Sequence, residues 1–161
     1  MPQRLTVNAM QQSPDLTRKL NELDKLAKKA DIAPAIFDLV EIRASQLNGC
    51  AFCLDVHVKQ ASLRGERALR IHHVPAWRDS PLFDARERAA LEWTEALTQL
   101  GRAGVPDETF ARVRAQFDEP QLVALTFAVM TINAWNRLNV AFRTEPGALD
   151  QALGLDKAAV N

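Results

Sequence analysis

The chain has 161 residues, 47% of them hydrophobic, which suits one globular domain with a real core. Lys plus Arg and Asp plus Glu are both 20, for a formal net charge of +0. No basic excess argues for nucleic acid or an anionic membrane surface, so partners of those classes are disfavoured.

Residues 1–12, Met-Pro-Gln-Arg-Leu-Thr-Val-Asn and onward, lack the apolar core of a signal peptide, and a cytoplasmic location is expected. They show no clear period and are expected to form an extended arm without chemistry. From Ser13-Pro14 a cap and a proline at the first turn open a helix to about residue 30, with Leu16, Leu20, Leu23, Leu26 and Ala27 at helical spacing. Asp31-Ile-Ala-Pro34 repeats the start signal. Ile36, Leu39, Val40 and Leu47 then mark a second helix that ends at Asn48-Gly49, where glycine accepts a left-handed conformation. A third helix runs from about Cys50 to Leu63 and is broken by Gly65.

A short helix through Ala68, Leu69 and Ile71 follows, and a loop bracketed by Pro75 and Pro81 carries Trp77 over the core. Asp84-Ala-Arg-Glu87 has capping-box spacing, and Ala90, Trp93, Leu97 and Leu100 predict a buried stripe to Gly101. Pro106-Asp-Glu opens a helix with Phe110, Val113 and Phe117 inward. The segment from about Pro120 to Phe142 is apolar nearly all round but too short in its apolar run for a bilayer, which needs about 20 residues. It reads as a central core helix or a subunit interface, and the tail after Pro146-Gly147 allows one more short helix. No strand-like alternation appears, so the fold class is all-α, with six to eight helices in a single domain over 1–161.

Both cysteines of the chain fall in Asn48-Gly-Cys-Ala-Phe-Cys-Leu-Asp-Val-His57. Cys50, Cys53 and His57 share one helical face, which makes a dithiol with a base beside it. Near a helix N-terminus, unpaired amides and the macrodipole stabilise a thiolate and lower a cysteine pKa below its free value of about 8.5. A thiolate that attacks a peroxide becomes a sulfenic acid, and a thiol three residues away condenses with it to a disulfide. A pair of inert buried thiols is the bland alternative.

A zinc site would need a fourth ligand from Asp38, Glu41, His72 or His73, and structural sites are usually built from two separated ligand pairs. Leu54 stands where a c-type haem motif needs histidine. We therefore expect no metal and no cofactor. His72 and His73 read as surface or packing residues. A carboxylate would complete a relay with His57, and two stand on the preceding helix, Asp38 and Glu41. Antiparallel packing brings Glu41 roughly level with His57 and Asp38 a turn deeper, and spacing alone leaves both open.

The stretch Arg43-Ala-Ser-Gln-Leu-Asn-Gly-Cys-Ala-Phe-Cys-Leu-Asp-Val-His57 closely resembles the core motif of the AhpD-like alkylhydroperoxidases, in the carboxymuconolactone decarboxylase superfamily. Trp77-Arg-Asp-Ser-Pro-Leu-Phe83, Glu87-Arg-Ala-Ala-Leu91 and Ile132-Asn-Ala-Trp-Asn-Arg137 match as well, so the resemblance spans about 31–142. It implies an all-helical subunit that assembles into trimers or hexamers, and a peroxidase that reduces organic hydroperoxides. It makes Cys53 the attacking thiol, Cys50 the more exposed resolving thiol, His57 the relay histidine and Asp38 the relay carboxylate. The electron donor it implies is a dithiol, on a lipoyl-bearing or thioredoxin-like protein.

Two departures stand out. Asp38 occupies the position of the family's glutamate, one methylene shorter, so that a water or Glu41 could serve in the relay. Ala51 and Phe52 stand between the cysteines, where the family's best-known members carry a histidine. The superfamily's decarboxylases lack this dithiol, which argues against lactone chemistry here. The alternatives are a slow redox-sensing or binding protein without significant peroxidase turnover, or a carboxymuconolactone decarboxylase-like enzyme.

Overall fold

The computed structural model describes residues 3–158. Among them the secondary structure is helical: α1 (Ala9–Gln12), α2 (Pro14–Ala27), α3 (Pro34–Leu47), α4 (Ala51–Leu63), α5 (Ala68–His73), α6 (Ala85–Thr98), α7 (Asp107–Arg114), α8 (Glu119–Phe142) and α9 (Asp150–Leu153), with a 3₁₀ turn at Val74–Ala76. The all-α expectation holds. The count of nine α-helices among the described residues exceeds six to eight because α1 is a single turn, too short to leave a periodic signal, while α9 is the short helix allowed for after Pro146-Gly147.

Local chemistry sets the boundaries. Pro14 and Pro34 sit in the first turns of α2 and α3, where a missing N–H costs nothing. Asp84 and Asp118 cap α6 and α8 through complete capping boxes with Glu87 and Gln121, each cap worth about 1 kcal/mol. Gly49, at φ 64°, turns the chain between α3 and α4.

α3 is the central element, packed on α4, α6 and α8, while α2 lies along α8 and α7 along α6. Leu39, Val40, Ile42 and Ala44 of α3 are completely buried. The core divides around it: one cluster joins α3 to α6, α7 and α8 through Val40, Ala90, Val113 and Leu125. A second joins it to the Trp77 segment through Leu39, Ile42 and Val74, and a third gathers Ala44, Cys50, Cys53, Ile132 and Leu155. Trp77 folds over the core as expected, its Nε1 donating to Glu95 Oε1 at 2.8 Å.

Four expectations need correction. The arm is not extended throughout, since residues 9–12 form α1, capped by the Asn8 side chain. The stripe on α6 stops short of Leu100, which lies beyond the helix end and is 58% exposed. Phe110 faces out, 47% exposed, with its ring against Trp93 at 6.3 Å. In α2 only Ala27 of the predicted apolar face is buried; Leu16, Leu23 and Leu26 are exposed, because the helix meets α8 along a flank and its leucine stripe points outward. α8 is likewise divided, with Leu125, Ala128, Val129 and Ile132 buried and Val123, Phe127 and Met130 exposed. Among the described residues no helix is long and apolar enough to cross a membrane.

Candidate active site

Cys50 is the N-cap of α4, and its Sγ accepts a hydrogen bond from the Cys53 backbone N–H at 3.2 Å. The sequence produces this geometry directly. Asn48 ends α3, Gly49 reverses the backbone, and Cys50 follows in an extended conformation at the positive end of a new helix. Cys50 and Cys53 are joined as a disulfide with Cα atoms 5.3 Å apart. Both residues are only 2% exposed, so the expected greater exposure of Cys50 is not found. Cys50, in the turn, and Cys53, one turn into α4, are covered alike by α8 and the C-terminal segment.

The two cysteines line different cavities. Cys53 lines one of about 190 Å³ together with Glu41, His57 and Gln60, with Lys28 and Asp24 of α2 at its polar end. Its apolar wall comes from Met10, Phe52, Val56, Trp135, Leu149 and Leu153. Cys50 lines a second cavity with Ala51, Val140 and Arg143, and Phe52 and Asn139 border both.

In the first cavity His57 Nδ1 lies 3.3 Å from Glu41 Oε2 and 3.1 Å from Gln60 Oε1. Glu41 is 3% exposed and ion-pairs through Oε1 with Lys28, which also pairs with Asp24 at 2.9 Å. Burial alone would raise the Glu41 pKa, but His57 and Lys28 outweigh it and hold the carboxyl at about 2. Burial likewise works to lower Lys28, and its two carboxylates reverse that, leaving its pKa raised. The result is a row of polar groups from α4 through α3 to α2.

Asp38 is elsewhere. Its carboxylate is gripped by the Arg64 guanidinium, with Nε donating to Oδ2 at 2.9 Å and Nη2 to Oδ1, and it does not line the cavity. Burial raises its pKa against the opposing pull of Arg64. Of the predicted residues, then, Cys53, Cys50, His57 and Glu41 come together, and Asp38 does not join them.

Among the described residues no group of three or more His, Cys, Asp or Glu side chains is placed to hold a metal ion. His73 Nδ1 lies 3.0 Å from Ser80 Oγ, and His72 is exposed.

Residues 14–96 match the family model described as "Carboxymuconolactone decarboxylase family". The chain belongs to that family. The uncharacterized protein YdfG of Bacillus subtilis is 38% identical over 129 residues, which is 80% of this chain and 88% of YdfG. The crystal structure of Agrobacterium tumefaciens ATU0492, of unknown function and suggested to be the antioxidant defence protein AhpD, is 34% identical with a TM-score of 0.85, covering 91% of this chain and 99% of that one. The apo debrominase Bmp8 shares the fold at 21% identity and a TM-score of 0.74, over 91% of this chain and 78% of its own. The AhpD-like helical fold expected from the CxxC motif is thus present.

The residues matched by the family model do not include the whole site. Met10, Trp135, Asn139, Leu149 and Leu153 all lie outside the matched 14–96. Asn139, which sequence reasoning passed over, is 3% exposed and its Nδ2 lies 3.7 Å from Cys53 Sγ. A signal was there: Asn133, Asn136 and Asn139 recur every three residues in the largely apolar α8, and all three are buried.

Proposed function

We propose that this chain is a thiol peroxidase that reduces organic hydroperoxides through a Cys50/Cys53 dithiol–disulfide cycle. The observation that carries the reading is that Cys53 and the His57–Glu41 pair line one cavity. The suggested AhpD assignment of ATU0492, at 34% identity, supports it as well.

In the reduced protein the Cys53 thiolate attacks the distal peroxide oxygen, the O–O bond breaks, and the alkoxide leaves as alcohol with a proton from His57. Cys53 is then a sulfenic acid. The Cys50 thiolate attacks its sulfur, water departs, and the disulfide closes; an external dithiol, on a lipoyl-bearing or thioredoxin-like protein, returns two electrons. Glu41, rather than Asp38, orients His57 in this scheme and balances its charge. Met10, Phe52, Val56, Trp135, Leu149 and Leu153 would receive the organic group. Lactone decarboxylation would leave the dithiol without a role.

The same reading has the subunit assemble as a trimer or hexamer. The exposed leucines of α2 and the Val123, Phe127 and Met130 stripe of α8 lie on adjoining helices and offer an apolar surface for self-association.

The test is one equivalent of cumene hydroperoxide added to the reduced protein, with free thiols counted by alkylation and mass spectrometry. The expected result is rapid loss of both thiols with a Cys50–Cys53 disulfide, and neither Cys50→Ser nor Cys53→Ser sustains multiple turnovers. Thiols that persist in the wild type would overturn the reading.

A further inference from the structure

The second cavity, on the Cys50 side of the disulfide, has about 470 Å³ and is separated from the first by Phe52 and Asn139. Gly49, Cys50, Ala51 and Phe52, the first residues of α4 and the turn before it, line one side of it. Amides at a helix N-terminus favour an anion. Arg143, half-buried at the end of α8, lines the other side, and its guanidinium has no hydrogen-bond or ion-pair partner among the described residues. Asn139 borders both cavities, is 3% exposed, and has its Oδ1 buried without a hydrogen-bond partner. Glu145 also lines the rim, but it is exposed and its charge is correspondingly screened.

From this arrangement we infer that the Cys50 cavity is a binding site for a small carboxylate-bearing thiol, which reduces the disulfide from the side opposite the peroxide. Arg143 and the N-terminus of α4 hold the carboxylate, and the thiol lies over Cys50. The thiolate attacks Cys50 Sγ, and the S–S bond breaks with its electron pair on Cys53, which faces Asn139 Nδ2 and takes a proton from His57. A second thiolate then attacks the ligand sulfur of the mixed disulfide and releases the Cys50 thiolate. Two ligand thiols become one disulfide, and the protein disulfide gains two electrons. The inference rests on the dithiol cycle of the proposed function, but not on a peroxide being the oxidant.

The experiment starts from the oxidised protein and contains no peroxide, so a failed peroxidase assay leaves its outcome intact, and its own failure leaves the peroxidase reading standing. Single-turnover reduction is followed with 3-mercaptopropionate, 2-mercaptoethanol and cysteamine, each rate corrected for the thiol's own pKa and nucleophilicity. The expected order is carboxylate over neutral over cationic, with 3-mercaptopropionate favoured over 2-mercaptoethanol about fivefold, the scale of one partly exposed ion pair. Arg143→Asn removes the charge while tolerating the left-handed backbone at φ 55°, and should bring that ratio to about one. Raising the salt should shrink the wild-type ratio in the same direction. Ala51→Trp, which fills the cavity from an exposed position, should slow all three thiols. Equal corrected rates in the wild type, a preference for cysteamine, or a ratio that Arg143→Asn leaves untouched would each overturn the inference.

Discussion

Glu41 Oε2 stands 3.3 Å from His57 Nδ1, while Asp38, one helical turn earlier on α3, has both carboxylate oxygens taken by Arg64. The two acids share one face of one helix and are both 3% exposed, yet they have different partners. Lys28 comes from α2 to Glu41, and Arg64 caps the end of α4 beside Asp38. The positions of those two cations decide which carboxylate is left to face the histidine.

This division predicts opposite kinetic effects. Glu41→Gln should lower kcat/KM for a small hydroperoxide by about a hundredfold, within the range of an oriented proton-transfer group. Asp38→Asn should leave kcat/KM within about threefold, because its loss falls on the Arg64 pair and therefore on stability. Steady-state kinetics on both variants decides the matter; a larger loss in Asp38→Asn would return the relay to Asp38.

The depressed pKa of Glu41 also makes a prediction about acid. Its folded value of about 2 lies below the ordinary 4.5, so its contribution is complete above pH 4.5 and is lost as pH falls toward 2. Linkage puts that contribution on the order of 3 kcal/mol at neutral pH. Asp38, shifted upward, works in the opposite sense, its contribution present in acid and lost as pH rises through its folded pKa. Urea denaturation at pH 7, 4.5 and 3 should show the wild type weakening steeply below pH 4.5. Glu41→Gln should be weaker at pH 7 and flatter across the same interval.

Much of the site was legible because its determinants are local. Cys50, Cys53 and His57 sit in one turn-and-helix segment, and Gly49 reads as the end of α3 because few other residues take φ 64°. The choice between Asp38 and Glu41 was not legible, since it depends on Lys28 and Arg64, which approach from other helices. Asn139 escaped for a similar reason: its proximity to Cys53 is made by the packing of α8 on α4, across 86 residues of sequence. The leucines of α2 show the converse limit. Their spacing reveals an apolar stripe but not what covers it, and within the subunit Leu16 stays 73% exposed and Leu26 60%.

The Asn48 turn is held from α8. Asn48 Nδ2 donates to Asn133 Oδ1 at 3.0 Å and to Asn136 Oδ1 at 2.9 Å, and Asn136 Nδ2 donates to Ser45 Oγ at 3.1 Å. Asn136 is completely buried, so Asn136→Ala leaves the Ser45 hydroxyl short of a donor and opens a cavity. The expected cost is about 2–3 kcal/mol in chemical denaturation. Because the network ends at the residue before Gly49, the variant should also exchange the Asn48, Gly49 and Cys50 amide hydrogens faster than wild type. Unchanged exchange at those amides would mean the turn holds itself.

Self-association is the remaining prediction. Val123, Phe127 and Met130 are 57%, 40% and 54% exposed, and they recur at spacings of four and three along one side of α8. That is the spacing of a helix seam. Light scattering coupled to size exclusion should give a mass near three or six times the 17.9 kDa subunit. Placing a charge in the seam should break the assembly, because an unpaired carboxylate buried at an apolar interface costs several kcal/mol. Phe127→Glu and Met130→Glu are the direct variants, since neither side chain contributes to the subunit core and the isolated fold should keep its helical circular dichroism. A fall in mass with the dichroism intact assigns this face to the interface. A wild-type mass of 17.9 kDa would reject assembly altogether, and an assembly that survives both substitutions would put its contacts elsewhere on the surface.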